Sequence, residues 1–312
     1  MNDIVANIKA RLSIPAFAAP MFLVSNPALV IEACKAGVIG SFPTLNARPV
    51  SALEEWLQQI TTELAEAELS NPGNIAPWAA NLIVHKSNDR FQEDLDLVIK
   101  YKAPIVISAL GSPARIIDDI HGYGGLVFAD VNSVEFAKKA AAAGADGLIL
   151  IASGAGGHTG FTTPFSLVPA VRKFFDGPIV CGGGIGDGAG IKAMEILGAD
   201  FAYIGTRFIA TTESLASDEY KQMLVDAHIN DIVTSPYFTG VPANYLKVSI
   251  EKAGIDLDEL LKANSEINFD NADKRSKAWK DIWSAGQAVG VIDEVQSTAD
   301  LINELKSGYD AA

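Results

Sequence analysis

A single histidine lies in a glycine-rich segment that has the features of an active-site loop. The segment reads Ser153-Gly-Ala-Gly-Gly-His-Thr-Gly160 and directly follows an apolar run. Such a loop contributes little packing, and an imidazole with an ordinary pKa of about 6.5 takes up or releases a proton at neutral pH. We therefore interpret His158 as a catalytic acid or base, with a solvent-exposed loop histidine as the alternative.

Glycines also dominate the ends of two later apolar runs, Cys181-Gly-Gly-Gly-Ile-Gly-Asp-Gly188 and Ile204-Gly-Thr-Arg-Phe208. A glycine backbone lets N–H groups approach an anion, and a helix that begins near Gly188 would direct its positive end to the same place. The pattern favours a phosphate site over glycines that only make tight turns. The motifs Gly-x-Gly-x-x-Gly and Gly-x-x-x-x-Gly-Lys do not occur, so a Rossmann domain or P-loop is not supported.

Three polar residues stand inside or at the end of otherwise apolar runs: Asn81, Ser108 and Asp130. A buried amide needs hydrogen-bond partners, and a heterocycle with imide donors and acceptors would provide them for Asn81. Ser108 and Asp130 could add polar contacts or bond to neighbouring backbone. Near the first run, Ala19-Pro-Met-Phe22 offers an apolar backbone ledge for a flat ring, although Met21 also suits an ordinary core position.

The remaining histidines and the two cysteines show no pattern of a metal or disulfide site. None of His85, His121 and His228 forms a metal triad with acidic partners at ligand spacing. Cys34 and Cys181 each stand in an apolar run, which is typical of buried thiols in a reducing compartment. We therefore predict no bound metal.

Eight short apolar runs recur along about the first 210 residues, and a helix-like segment follows each. The runs do not alternate apolar and polar residues, which is typical of strands covered on both faces of a parallel sheet. Between them, Asn132-Ser-Val-Glu135 predicts a helix start capped by Asn132. Eight such units favour a (β/α)₈ TIM barrel over an open doubly wound sheet. The runs are Ala16–Ala19, Val38–Phe42, Trp78–Val84, Ile105–Leu110, Gly125–Val131, Gly147–Ser153, Ile179–Gly182 and Phe201–Phe208.

The pattern changes after the eighth run. Residues 213–284 are richer in polar and aromatic residues and show no clear strand repeat, which favours a mainly helical insertion. We assign residues 1–212 to the barrel, completed by 285–312, and interpret 213–284 as a lid whose aromatic side chains shape the pocket. Barrel enzymes carry their sites on the loops that follow the strands, which is where His158 and both glycine groups are expected.

The overall charge excludes several classes of partner. The 312 residues include 24 Lys and Arg against 38 Asp and Glu, a net charge of −14. The average field of such a surface does not attract nucleic acid or an anionic membrane. No stretch approaches the roughly 18 apolar residues of a membrane span, and the N-terminus lacks a signal peptide's apolar core. We expect a soluble, cytoplasmic protein that acts on a small molecule; a homodimer is compatible with the sequence.

Taken in order, several motifs resemble the nitronate monooxygenase (2-nitropropane dioxygenase) family of FMN-dependent barrels, close kin of flavin-dependent enoyl reductases. Each motif alone is weak, but together they span residues 16–290 and are specific for the family. They are Ala19-Pro20-Met21, Asn81-Leu82, Ala155-Gly-Gly-His-Thr-Gly160, Gly182-Gly-Gly-Ile185, Leu197-Gly-Ala-Asp200, Gly205-Thr-Arg-Phe208 followed by Glu213-Ser214, and Ala285-Gly-Gln287.

The resemblance implies FMN as cofactor and His158 as the catalytic base. The base would remove the α-proton of a nitroalkane, or steady an anionic nitronate, so that the substrate reduces the flavin before O₂ reoxidises it. The resemblance also implies a flavin phosphate on Gly183, Gly184, Gly205 and Thr206. The complete set of expected cofactor-binding residues is Ala19, Pro20, Met21, Asn81, Ser108, Asp130, Ser153, Gly156, Gly157, Gly182, Gly183, Gly184, Gly205 and Thr206.

Two positions depart from the family pattern. Members often carry Gln and then Gly-x-Glu-Ala ahead of Gly-Gly-His, where this chain has Ile151 and Ala152-Ser-Gly-Ala155. The differences remove an expected flavin contact and a charge beside the loop. An alternative function on the same barrel and flavin is an NAD(P)H-dependent reductase of quinones or enoyl thioesters, with Arg207 and Lys86 as possible nucleotide contacts. A non-enzymatic flavin carrier is a third alternative.

Overall fold

A closed barrel of eight parallel strands forms the body of the molecule. The computed structural model describes residues 3–238, 240–257, 260 and 281–312. The strands are β1 (Ala16–Ala18), β2 (Ile39–Pro43), β3 (Ala79–Ile83), β4 (Ile105–Ala109), β5 (Leu126–Val131), β6 (Gly147–Ile151), β7 (Gly157–His158), β8 (Ile179–Gly182), β9 (Phe201–Ile204), β10 (Ile232–Ser235) and β11 (Ala243–Leu246). The barrel closes in the order β1-β2-β3-β4-β5-β6-β8-β9, with β9 parallel to β1, which confirms the predicted (β/α)₈ architecture.

Helices connect the barrel strands and cover the outside of the barrel. Side-chain caps mark several of their starts: Ser133, for example, accepts a hydrogen bond from the N–H of Phe136, so the cap is Ser133 rather than the predicted Asn132. The helices are α1 (Asp3–Lys9), α2 (Pro27–Lys35), α3 (Val50–Ser70), α4 (Phe91–Lys100), α5 (Ile117–His121), α6 (Val134–Ala142), α7 (Pro164–Arg172), α8 (Gly188–Leu197), α9 (Thr206–Ile209), α10 (Asp218–Asp226), α11 (Lys247–Lys252) and α12 (Thr298–Ala311).

Side chains of the barrel strands alternate between the lumen and the surrounding helices. Large apolar side chains fill the lumen, and its aromatic rings pack on Phe17, with ring centroids 6.0 Å away for Phe128 and 5.6 Å away for Phe201. This filling leaves no channel through the barrel, as expected for eight strands. A ligand must therefore bind at the mouth, where the carboxyl ends of the strands meet.

The segment after the barrel strands contains strands as well as helices. Strands β10 and β11 pair in antiparallel fashion between α10 and α11, and β7 pairs with β11 to complete a three-stranded sheet. The prediction of a mainly helical insertion did not include this pair of strands. Tyr220 stacks on Trp283, with centroids 4.8 Å apart, and Phe238 packs edge-on against Tyr245. Residues 261–280, which include Trp279, lie outside the described residues; the role of the insertion as a lid stays a prediction.

The C-terminal helix α12 packs on α8 and is tied to the barrel by an ion pair. Arg207, only 5% exposed, donates two hydrogen bonds of 2.8 Å to the carboxylate of Glu304 and one of 2.7 Å to the carbonyl of Gly186. Burial alone would raise the pKa of Glu304, but the hydrogen bonds from Arg207 and Gln296 outweigh it, and the pKa lies below its ordinary value.

Because Glu304 supports a nearly buried guanidinium, we expect Glu304→Gln to lower the free energy of unfolding by about 1 kcal/mol near neutral pH. A carboxylate with a lowered pKa stabilises the fold above its unfolded-state pKa, and this contribution is lost as the pH falls through the folded-state value. Denaturant unfolding at several pH values measures the effect. The matched control is Glu135→Gln, which removes an exposed helix pair with Lys139 and should change little. An equal loss in both variants would contradict the prediction.

Candidate active site

The loop that carries His158 lies at the carboxyl end of the barrel and is held from two sides. On one side, β7 pairs with β11, with His158 opposite Ala243, and the N–H of Thr159 donates to the carbonyl of Pro242 over 3.1 Å. The Nδ2 of Asn244 donates to the carbonyl of Ala155 over 2.7 Å. These bonds fix the backbone of a loop that has four glycines between residues 154 and 160.

On the other side, the loop packs against the segment Ala285–Gln287. The N–H of Gln287 donates to the carbonyl of Gly154 over 2.9 Å. A Cβ atom added to Gly156 would lie 2.8 Å from the backbone nitrogen of Gly286, so the two backbones touch and only glycine fits. Gly156, predicted to lie beside the cofactor, therefore has a packing role that accounts for its residue type, and Gly157 with φ of 67° begins β7.

The environment of His158 favours its neutral form. The side chain is exposed to solvent, and partial desolvation by the surrounding protein lowers the pKa of the imidazole. A histidine with a lowered pKa is uncharged at neutral pH and can accept a proton. The geometry therefore suits a general base.

The predicted phosphate-binding residues Gly183, Gly184, Gly205 and Thr206 come together at the mouth, where they form what we call the glycine cradle. Gly183 and Gly184 have φ of 145° and 71°, and a Cβ atom on Gly183 would lie 2.5 Å from the carbonyl oxygen of Ser153. At the next strand, a Cβ atom on Gly205 would lie 3.7 Å from both the Ala19 Cβ and the Met21 Sδ. The ends of β8 and β9 thus meet the loop after β6 and the ledge after β1.

Thr206 connects this cradle to the segment Ala285–Gln287, which packs against the histidine loop. Its hydroxyl accepts a hydrogen bond of 2.9 Å from the N–H of Gly286. The start of α8 is capped by one side chain and covered by the C-terminal helix. The Oδ1 of Asp187 accepts from the N–H of Gly190 over 2.7 Å, and α12 packs directly over Gly188. The contribution of this helix start to a phosphate site stays a prediction.

Polar groups line the upper lumen beneath the cradle. Strand alternation places Asn81, Asp130 and Tyr203 on the lumen side, and Asn81 is 7% exposed. Within the described residues, the buried Oδ1 of Asp130 and the hydroxyl of Tyr203 have no hydrogen-bond partner. Buried polar atoms without partners are uncommon in folded proteins, and two of them at the mouth of the lumen are compatible with a ligand position. Gly182 packs against the Tyr203 ring: a Cβ atom there would lie 3.1 Å from the Tyr203 Cβ.

Ser108 does not belong to this group, although the sequence placed it among the cofactor contacts. It pairs in register with Leu82 and Ala129, which both belong to the outer core clusters, so its side chain faces the helices. Its buried hydroxyl has no partner in the described part of the chain, but it lies outside the lumen. Successive side chains of a strand point to opposite faces, so Ser108 points to the helices although its neighbours in β4 point into the lumen.

The segment after β1, which the sequence predicts to be a ledge for a flat ring, lies at the carboxyl end of that strand. Asn46 holds it by donating from Nδ2 to the carbonyls of Met21, over 2.9 Å, and Ser25, over 2.8 Å. Pro20 and Met21 are half-buried at the mouth. Ser153 lies on the opposite side, beside Gly183, and it also lines a groove of about 210 Å³ against the insertion.

Comparison with known proteins decides the family of this barrel. A family model described as nitronate monooxygenase matches residues 6–308. The chain belongs to the nitronate monooxygenase family. It is therefore an oxidoreductase. The nitronate monooxygenase of Neurospora crassa is 27% identical over 92% of this chain and 87% of that protein.

Solved structures share the fold of this nitronate monooxygenase family member over its full length. FabK from Thermotoga maritima superposes with a TM-score of 0.81 at 24% identity, covering 100% of this chain and 96% of that one. The nitroalkane oxidase from Streptomyces ansochromogenes superposes with a TM-score of 0.78 at 22% identity, covering 98% of both chains. At this identity the likeness concerns the fold alone.

Three residues of the site are absent from the sequence-based set. Tyr203 has a buried hydroxyl in the lumen, and a tyrosine within an apolar strand was the available signal. Gln287 belongs to the motif Ala285-Gly-Gln287 and contacts the loop at Gly154. Asn244 holds the loop from the insertion, and no local pattern pointed to it. Among the described residues there is no cluster of three or more metal-ligating side chains, and none of the helices there could span a membrane.

Proposed function

We propose that the protein is an FMN-dependent nitronate monooxygenase that oxidises alkyl nitronates and nitroalkanes with O₂. The observation that carries the proposal is the position of the loop that carries His158: two sets of backbone contacts hold it, and its residues Ser153 and Gly154 pack against the glycine cradle. Membership of the family supports the same reaction class.

The residues at the mouth fit FMN. Backbone groups of Gly183 and Gly184, and of Gly205 and Thr206, would bind the phosphate, and the three glycines have no side chain to obstruct it. The ring would lie on the ledge at Met21. The polar groups beneath it would be Asn81 and Asp130, with Tyr203, whose hydroxyl lacks a protein partner among the described residues. Bound FMN supplies the redox chemistry that no side chain can perform.

His158 performs the proton transfer. Its neutral imidazole takes the α-proton of a nitroalkane, which leaves the nitronate carbanion ready for oxidation; a preformed nitronate needs no such step. Because burial lowers the pKa of His158, the base stays competent below the ordinary pKa of histidine. Turnover of nitroalkane should therefore fall only as the pH drops through this lowered value.

The visible spectrum of purified protein tests the proposal. We expect a yellow preparation that releases FMN and that consumes O₂ when a nitronate is added. Rapid flavin bleaching by NADH in the absence of nitronate, together with no O₂ uptake on nitronate, would contradict the oxygenase and favour the NAD(P)H-dependent reductase. A colourless protein that FMN does not reconstitute would contradict both.

Asn244 acts as a positioning residue in this scheme, because its Nδ2 holds the loop at the carbonyl of Ala155. We expect Asn244→Ala to lower kcat for a nitroalkane about tenfold, since small displacements of a base are costly, while turnover of preformed nitronate changes little. Steady-state oxygen uptake with both substrates measures the ratio. The matched control is Asn88→Ala, which removes a similar bond of 2.9 Å to the carbonyl of Ile83 at another loop. Equal losses on both substrates would contradict a role through His158.

A further inference from the structure

We propose that Asp130 and Tyr203 form a hydrogen-bond donor site on the floor of the barrel mouth, which binds the ring of a flavin through a carboxylic acid in its protonated form. The inference rests on the proposed function, since it concerns the ring of the proposed cofactor. It assigns to Asp130 the opposite hydrogen-bonding role from that of an ordinary aspartate, which accepts bonds as an anion.

The geometry carries the first part of the argument. Asp130 is the last lumen-facing residue of β5, and Tyr203 is the corresponding residue of β9 across the mouth. The Oδ1 of Asp130 and the hydroxyl of Tyr203 are both buried, and neither has a hydrogen-bond partner within the described residues. Because these atoms do not satisfy each other, the groups that complete them must come from above, where the cradle and ledge would hold a ring.

The surroundings of Asp130 carry the second part. Burial raises the pKa of its carboxyl to about 7, and burial, with a smaller effect from the charge of Asp130, raises the pKa of Tyr203 well above its ordinary value. Among the described residues of the barrel strands, Tyr203 is the titratable group on the lumen side with Asp130. Other buried residues that strand alternation places on the lumen side are uncharged: Phe17, Ser41, Asn81, Ile107 and Ile149.

The chemistry of the ring fits two donors. A flavin ring presents several carbonyl and ring-nitrogen acceptors, so a protonated Asp130 and the Tyr203 hydroxyl would each donate to it. An ionised Asp130 would instead place a negative charge against acceptors in a site of low polarity. The raised pKa means that the neutral acid prevails below about pH 7 and is lost above it. Affinity for the ring should therefore fall as the pH rises through this range.

Riboflavin is the probe, because it has the ring without the titratable phosphate. We expect the Kd of wild-type apoprotein for riboflavin to rise roughly tenfold between about pH 6 and about pH 8, since only the protonated fraction binds. Asp130→Asn, whose amide donates at every pH, should remove this dependence. Tyr203→Phe should weaken binding by a similar factor at both pH values. Ser108→Ala removes a buried hydroxyl on the outer face of β4 and is the matched control; it should behave as wild type.

The thermal stability of the same apoproteins gives a readout that needs no flavin. A raised folded-state pKa stabilises the fold at low pH, and the contribution is lost as the pH rises through the folded-state value. Asp130→Asn should therefore raise Tm at about pH 8, and the gain should shrink towards about pH 5. An equal Tm difference at both pH values would overturn the protonated carboxyl.

The outcomes separate the two proposals. If wild type binds flavin and the pH dependence of its Kd is unchanged in Asp130→Asn, this inference is overturned and the proposed function is left intact. Failure of wild type to bind FMN or riboflavin at either pH overturns the proposed function and, with it, the ring-binding role of Asp130.

Discussion

Replacement of His158 by alanine is expected to lower kcat/KM for a nitroalkane by about 10²–10⁴-fold, the usual contribution of a positioned general base. The reason is the proton: a neutral nitroalkane must lose its α-proton before it can be oxidised, and His158 is the group that the loop holds at the mouth. Stopped-flow reduction of the bound flavin by nitroalkane measures the loss directly.

Preformed nitronate distinguishes a base from a structural residue. Because a nitronate has already lost the proton, His158→Ala should retain most of its turnover with that substrate. His85→Ala is the matched control, since His85 also is exposed and follows a barrel strand, and its ring bonds locally, over 2.8 Å, to the Ser87 hydroxyl. Unchanged nitroalkane turnover in His158→Ala would remove this histidine from the mechanism.

The second large effect is expected at the phosphate cradle. Gly184 has φ of 71°, and a Cβ atom there would have no neighbour closer than 3.9 Å, so alanine fits the protein but intrudes where a phosphate would lie. We expect Gly184→Ala to weaken FMN binding by about 10- to 100-fold, through the loss of one or two charge-assisted hydrogen bonds. Fluorescence titration of apoprotein with FMN measures the change. Riboflavin affinity should change much less.

A second glycine makes the control for backbone strain. Gly73 has φ of 79° in an exposed turn, and a Cβ atom there would meet nothing within 4 Å. Gly73→Ala should therefore lose the same stability as Gly184→Ala, about 1 kcal/mol for a left-handed alanine, without any effect on FMN. If both variants bind FMN as wild type does, the phosphate does not lie on Gly184.

Much of the architecture could be predicted because its signals are local. Each barrel strand is a short apolar run that is buried on both faces, and each is separated from the next by helix caps and glycines. The run Ile105–Leu110, for example, became a strand over Ile105–Ala109. The loop with His158 and the glycines after β8 and β9 were found for the same reason: their composition suits no packed element, so the residue types themselves indicate a site.

The face of a strand could not be predicted in the same way. In a run that is apolar throughout, nothing local says which alternate residues point into the lumen, so Ser108 and Asp130 looked equivalent. Pairing of Ser108 with Leu82 and Ala129 sends it outward, whereas Asp130 and Tyr203 face inward. The register among eight strands decides this, and register is a property of the closed barrel.

The sequence alone determined the strand repeat, the glycine cradle and the candidate base, because each depends on residue types that are neighbours along the chain. Only the tertiary structure decided what surrounds them. The start of α8 is covered by α12, and the His158 loop is held by Asn244, which is 89 residues from its partner Ala155. Contacts between such distant segments arise from packing of the whole chain, and no short stretch of sequence encodes them.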